Sequence, residues 1–453
     1  MIYDHVYAGR IFLDGEIRYG EIGVVDGKIA KIGKNLKGHE RVDFGSKIIF
    51  PGAIDVHVHF RDPGYTEKED FYTGTVSAAF GGVVCALDMP NTRPIVVSAE
   101  DINEKIKIAK QKAVIDFGLY AMPLPGHIDT VAKKCCGFKV NFEWRELLSA
   151  KDTNFWDENT FGRVVEDINA LFANGVERRL SIHCEHPRAF LNGKNARNLE
   201  EYCALRAENY EAEAITHVLS ILKKYAKSGK EGEVEGGRKG VDDMINRILH
   251  IVHVSSVEGV GILSNHNISM EVTPHHILLS TKRELGAYGK VNPPIRGERT
   301  REFLWRCYVN GTIPILASDH APHLDEEKDQ EFEDAPAGVP GVETMLPLML
   351  YLAKKGYINV SRVFDSLSAQ PAATFGIHSK GFLSVGKDAD FVVVDFLKVT
   401  RVKGKNLHYK CEWTPFEGFD AIFPYATVVR GCVVVRDGWL EADAGYGNLI
   451  VPR

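Results

Sequence analysis

The chain has 453 residues, enough for one large domain beside a smaller one or for two or three ordinary domains, and with 44% of them hydrophobic it can bury a sizeable core. A formal net charge of −6 without a long basic run argues against nucleic acid or an anionic membrane surface as partner and leaves a small-molecule substrate as the expectation. The eight cysteines do not make a disulfide framework in so long a chain, and Cys135 and Cys136 lack CxxC spacing, so they read as reduced, mostly buried thiols. No basic stretch followed by a continuous apolar run opens the sequence, and nowhere do about 18 apolar residues run together, which predicts a soluble, cytoplasmic protein without membrane contact.

Residues 1–50 alternate short β-type runs such as IGVVDGKIAKIG with Asp-Gly turn signals, the pattern of hairpins in an antiparallel sheet. Eight apolar runs then alternate with helix-length segments: AIDVHVHF, GVVCALDMP, VIDFGLYAMP, CGFKVNF, RLSIHCEH, ILHIVHVSS, ISMEVTP and IPILASDH. Apolar strands alternating with helices imply a parallel sheet, and eight such units close a barrel. The polar, Gly-rich stretch Lys227–Asp243 interrupts this rhythm and reads as a surface insertion. From Gly381 the β-branched runs broken by Gly and Asp return. The expected architecture is therefore α/β: a (β/α)₈ TIM-type barrel over residues 51–380, with a small β-sandwich domain formed by both chain ends, residues 1–50 and 381–453.

The first barrel strand carries the first chemistry. In GAIDVHVHFRDPG, period-two alternation turns His57 and His59 to one face while Val56, Val58 and Phe60 face the other. Alone, such a pair is equally well two hydrogen-bonded histidines on a polar strand face. Further candidates, however, end other strands: Lys139 the fourth, His183 the fifth, His253 the sixth and Asp319 the eighth. A barrel gathers those ends around one mouth. Four imidazoles and a carboxylate suit zinc and exceed what one tetrahedral ion needs, so two metal ions are expected. Lys139 inside an apolar strand should have a depressed pKa, and its neutral amine can add carbon dioxide to give a carbamate whose oxygens could bridge the two ions. Asp319, an ionised acid at the end of an apolar strand, is costly unless paired and is read as a ligand that also moves protons. His217, His250, His275 and His276 lack the strand-end pattern and are read as structural.

Taken together, DVHVHFRDPG, DMPNT, GFKVNF, IHCEH, HVSS, VNPPIRG and SDHAPH resemble the amidohydrolase superfamily, specifically the dihydroorotases, in order and over nearly the whole chain. The resemblance implies reversible cyclisation of N-carbamoyl-L-aspartate to L-dihydroorotate in pyrimidine (UMP) biosynthesis, with a zinc-bridging hydroxide as nucleophile and Asp319 as acid and base. It also implies that His57, His59, Asp319 and Lys139 hold one zinc ion, and that His183, His253 and the shared Lys139 carbamate hold the other. Lysine at the bridge, where some bacterial relatives carry aspartate, resembles the carbamylated-lysine branch. Arg61, Asn91 and His323 would bind the substrate carboxylate, and Asn292 and the backbone at Ala337 and Gly338 would supply the remaining contacts. Allantoinases and hydantoinases (dihydropyrimidinases) share the metal frame and are the enzyme alternative; a metal-free, non-catalytic scaffold is the other. Homo-oligomerisation, association with other pyrimidine-pathway enzymes and the identity of a substrate-covering loop, within residues 142–156 or 323–338, are left open by the sequence.

Overall fold

Both Asp-Gly pairs near the N-terminus adopt positive φ at both residues, 51° and 82° at Asp14-Gly15 and 50° and 72° at Asp26-Gly27. Two-residue hairpin turns with this backbone match the right-handed twist of the flanking strands. They connect β1 (Ile2–Leu13), β2 (Glu16–Val25) and β3 (Lys28–Gly33), which pair antiparallel. The computed structural model describes residues 2–144, 153–225 and 238–452.

The next strand departs from the antiparallel expectation. β4 (Lys37–Pro51) runs parallel to β1. The β2–β3 hairpin occupies one side of β1, so the chain returns along the other side in the original direction, with the hairpin as its crossover.

Eight barrel strands follow: β5 (Ala53–Val58), β6 (Val83–Asp88), β7 (Asp116–Ala121), β8 (Gly137–Asn141), β9 (Arg179–His183), β10 (Leu249–Ile251), β11 (Ser269–Val272) and β12 (Ile315–Leu316). They pair in sequence order, all parallel. The ring closes where Val58 bridges His320 and the His59 N–H donates to the His320 carbonyl at 2.7 Å. Amphipathic helices such as Glu158–Ala173 and Asn209–Tyr225 cover the outside with their apolar faces. Capping is local: at Ala99–Lys112 the Ser98 hydroxyl accepts from the Asp101 N–H, and Asp101 accepts in return from the Ser98 N–H.

The chain then returns to the first sheet. β13 (Phe391–Val394) pairs antiparallel with β4, β14 (Thr400–Arg401) and β15 (Asp420–Ala421) make a small ribbon, and β16 (Ala426–Val429), β17 (Cys432–Arg436) and β18 (Trp439–Leu440) extend the sheet. Its order is β18-β17-β16-β13-β4-β1-β2-β3, so both chain ends share one mixed sheet with its own buried cluster, including Tyr7, Ile22, Phe391 and Val428. Sheet and barrel are pinned together by buried Lys380, whose ammonium binds Asp116 at the start of β7 (2.6 Å) and Asp390 before β13.

Residues 227–237 of the polar insertion lie outside the described residues, and its last part opens the helix Arg238–Ile248 rather than continuing as loop. All eight cysteines are free, and six are buried. Among the described residues no helix is long and apolar enough to cross a membrane.

Candidate active site

His57, His59, Lys139, His183, His253 and Asp319 line one cavity of about 290 Å³ at the C-terminal mouth of the barrel. Short strands deliver these side chains near or just beyond their C-terminal ends, except Lys139, the middle residue of β8. Three residues there hold left-handed backbone that non-glycine residues rarely adopt: Arg61 (φ 64°), His253 (φ 37°) and Asp319 (φ 46°). Such strain persists only where the surrounding structure enforces it, and it concentrates at functional sites.

Three imidazoles have their outer nitrogens committed. His57 Nδ1 donates to Glu271 Oε1 at 2.6 Å, while His250 Nε2 lies 3.0 Å from the other Glu271 oxygen. His59 Nδ1 faces Asn91 Oδ1 at 2.8 Å. His183 Nε2 donates to Glu185 Oε2 at 3.0 Å, and Arg206 donates to both oxygens of that carboxylate. The remaining ring nitrogens turn inward as lone pairs. His57 Nε2 and His59 Nε2 both stand 3.2 Å from Asp319 Oδ1, and His183 Nδ1 stands 3.1 Å from His253 Nε2. Buried His253 Nδ1 has no hydrogen-bond partner. Burial pushes His59 down to about 4, so its ring is neutral and its inner lone pair confronts an ionised oxygen. That arrangement is repulsive by itself and becomes attractive around a cation. The ligand atoms of His57, His253 and Asp319 lie within 4.8 Å of one another. The donor set and its carboxylate-oriented imidazoles fit a divalent metal such as zinc. A second acidic group, Asp116, Asp388 and Asp390, is already filled by the Lys380 ammonium.

Lys139 is 2% exposed, and burial pushes its ammonium down to about 8. Its Nζ lies 3.4 Å from His57 Nε2. Among the described residues it forms no ion pair.

The expected substrate residues surround the same space. Arg61, Asn91, Asn292, Ala337 and Gly338 line the cavity, and His323 stands behind Arg61, with Nε2 3.3 Å from Arg61 Nη2. Arg61 donates from Nε to the Pro322 carbonyl at 3.3 Å and forms no ion pair among the described residues. Burial and the neighbouring cations push His323 down to about 3, so the ring is neutral; Lys68 donates to Nδ1 at 3.3 Å, and Nε2 donates to the Ala337 carbonyl at 3.2 Å. Asn91 spends its carbonyl on His59. Asn292 donates to Glu143 Oε2 at 3.0 Å and accepts from the Tyr202 hydroxyl. Gly338 has both backbone groups engaged: its N–H donates to the Lys290 carbonyl at 2.9 Å, and its carbonyl accepts from Lys328 at 3.1 Å. It must be glycine, because φ is 144° and an added Cβ would lie 2.5 Å from the Ala321 carbonyl oxygen.

Glu143, Glu185, Glu271 and Arg206 belong to this site and escaped the sequence reading. Two carried a usable signal. Glu185 follows His183 by two residues, and Glu271 sits inside the apolar strand SMEV, where an acid is as anomalous as Lys139. The segment 142–156 reaches the site through Glu143 and Trp144; its residues 145–152 lie outside the described residues.

Residues 48–434 match the amidohydrolase family. The chain is 34% identical to a dihydroorotase of Methanosarcina acetivorans, covering 98% of this chain and 95% of that protein. It is 35% identical to a dihydroorotase of Halobacterium salinarum, covering 95% and 96%. Among solved structures, L-hydantoinase (dihydropyrimidinase) from Arthrobacter aurescens is similar with a TM-score of 0.87 at 26% identity, covering 99% of this chain and all of that one. D-hydantoinase from Bacillus sp. AR9 shares the fold, with a TM-score of 0.81 at 23% identity over 98% of each chain. A family match over most of the sequence, joined to relatives about one third identical along nearly its full length, means that the chain belongs to the amidohydrolase family, in its dihydroorotase branch.

Proposed function

We propose that this cyclic amide hydrolase interconverts N-carbamoyl-L-aspartate and L-dihydroorotate, the ring-closing step of pyrimidine biosynthesis. The observation that carries the substrate choice is Arg61, a partly buried guanidinium without a carboxylate partner among the described residues, placed beside the convergent imidazoles. An unpaired cation at that depth is costly in the empty cavity and favourable against an anion. Dihydroorotate brings a carboxylate; allantoin, hydantoin and dihydrouracil do not. The hydantoinase likeness of the fold fits the metal frame and leaves Arg61 unexplained.

His57, His59, Asp319 and a carboxylated Lys139 would hold one zinc ion, and His183, His253 and the same Lys139 the other. Bound there, the ions would lower the pKa of water to near neutrality and polarise the amide carbonyl. The chain's own residues do the rest. Arg61 presents a planar fork of donors to the ring carboxylate, which fixes where the scissile amide lies over the Asp319 carboxylate. Asp319 accepts the proton of the attacking water and delivers it to the departing ring nitrogen as the C–N bond breaks. In the closing direction it removes the proton from the carbamoyl nitrogen and returns it to the leaving oxygen. Asn292 and the Ala337 carbonyl border the ring, and His323, whose Nε2–H is turned to the Ala337 carbonyl, packs beside Arg61 without accepting from it. The residues divide as a barrel domain, 51–380, and a second domain from residues 1–50 and 381–453.

Arg61→Met tests the reading, since it keeps bulk and removes charge. It should cost about 2–5 kcal/mol in kcat/KM for dihydroorotate, the scale of a truncated buried ion pair, with zinc content unchanged. An unchanged kcat/KM would remove Arg61 from substrate recognition.

A further inference from the structure

Behind the wall that carries Ala337 and Gly338 lie two buried ammonium groups without counter-ions. Lys328, at the end of the short helix Asp325–Lys328, is 1% exposed, and Lys290 is 7% exposed. Among the described residues neither forms an ion pair. Lys328 Nζ donates to the carbonyls of Pro336 (2.8 Å) and Gly338 (3.1 Å) and approaches that of Lys290 at 3.4 Å. Lys290 Nζ donates to the carbonyls of Phe332 (2.6 Å) and Glu333 (3.1 Å), and its own carbonyl accepts from the Gly338 N–H. Trp413 completes the packing: Lys328 Nζ lies 5.6 Å from its ring, and its indole N–H donates to the His323 carbonyl at 2.8 Å.

A hydrogen-bonded segment could be tied down by neutral donors. Two desolvated charges are an expensive way to do it, and burial with the neighbouring Lys290 charge pushes the Lys328 ammonium down to about 7. Glu327 near Lys328, and Asp334, Glu143 and Glu333 near Lys290, offset these charges in part, and an anion in the adjacent cavity, where Arg61 stands without an ion pair, would add to that. Both lysines bind the segment Phe332–Gly338, whose Ala337 carbonyl also orients His323 against Arg61.

We propose that Lys328, seconded by Lys290, is a positioning and specificity residue: it fixes the Pro336–Gly338 strip against the cavity and makes that wall selective for a carboxylate-bearing ring over a neutral one. The inference rests on the dihydroorotase reading and deepens it. Lys328→Met removes donor and charge, whereas Lys328→Gln removes the charge and keeps a donor for the carbonyls. In the zinc-loaded protein both should raise KM for dihydroorotate about tenfold or more with kcat within about threefold of wild type, and weaken calorimetric binding of orotate to the same extent. Rates with dihydrouracil, which lacks the carboxylate, should not change in Lys328→Gln, so the preference between the two rings narrows. A merely structural lysine would lower thermal stability and shift both rings alike, and that result would overturn the proposal. So would an unchanged KM and orotate affinity. Should neither Lys328 variant fold, Lys290→Met decides: a raised KM for dihydroorotate supports the proposal, and wild-type values contradict it. A wild-type protein that prefers neutral rings would instead strike the dihydroorotase reading itself.

Discussion

At Asp319 the backbone is held at φ 46°, and the carboxylate is pressed between two imidazole nitrogens at 3.2 Å. A cation bound between those nitrogens and the carboxylate would keep Asp319 ionised. A group held ionised there can take a proton only when the reaction supplies one. Asp319→Asn should therefore lower kcat by about two orders of magnitude or more while changing KM little, the size expected when a proton-transfer group is lost. Zinc measured in the same sample separates loss of proton transfer from loss of ligand, and near-normal turnover would exclude the assignment. Lys139→Ala should lose zinc and activity together and recover part of both with a small carboxylic acid, which can occupy the vacated bridge. A variant with full zinc and full activity would refute the carbamate. The six candidate ligands were legible because barrel geometry lets residues on different strands be read as one set. Their partners were not: Glu185 and Arg206 meet only after 20 residues of intervening chain have folded, and Asn91 reaches His59 from a loop. The assignment of Gly338 as a backbone contact meets a similar limit, since its hydrogen bonds to Lys290 and Lys328 come from segments that no local pattern connects.

Among the elements, the eight barrel strands were readable as apolar runs because a parallel strand covered on both faces has no polar alternation to confuse. β12 is only Ile315–Leu316 as a strand, yet it stood out through the apolar run around it. The parallel pairing of β1 with β4 was hidden, because alternation reports a strand and its buried face but not the direction of its neighbour. The junction between sheet and barrel was equally hidden, since Lys380, Asp116 and Asp390 come from three distant segments and each reads locally as a surface charge. Lys380→Met should leave Asp390 buried without its cation and Asp116 with Arg430 alone, and destabilise the fold by roughly 3–5 kcal/mol, the cost of breaking a buried ion pair from one side. Chemical denaturation monitored by circular dichroism would measure it. Stability equal to wild type would show that the cluster does not tie sheet to barrel.

For the whole molecule, the terminal sheet and the barrel serve one end: eight strand termini hold a rigid mouth, and the loops beyond them set a positively charged wall opposite the convergent imidazoles. Arg61 lines that wall without an ion pair among the described residues, with Lys290 and Lys328 buried behind it, so the cavity suits an anionic ring. The most direct measurement supplies dihydroorotate, allantoin, hydantoin and dihydrouracil at equal concentration to the zinc-loaded wild-type protein and compares initial rates of ring opening. Dihydroorotate should be opened fastest, because binding a neutral ring leaves Arg61 unpaired. Faster opening of any neutral ring would contradict the account and favour a hydantoinase or allantoinase.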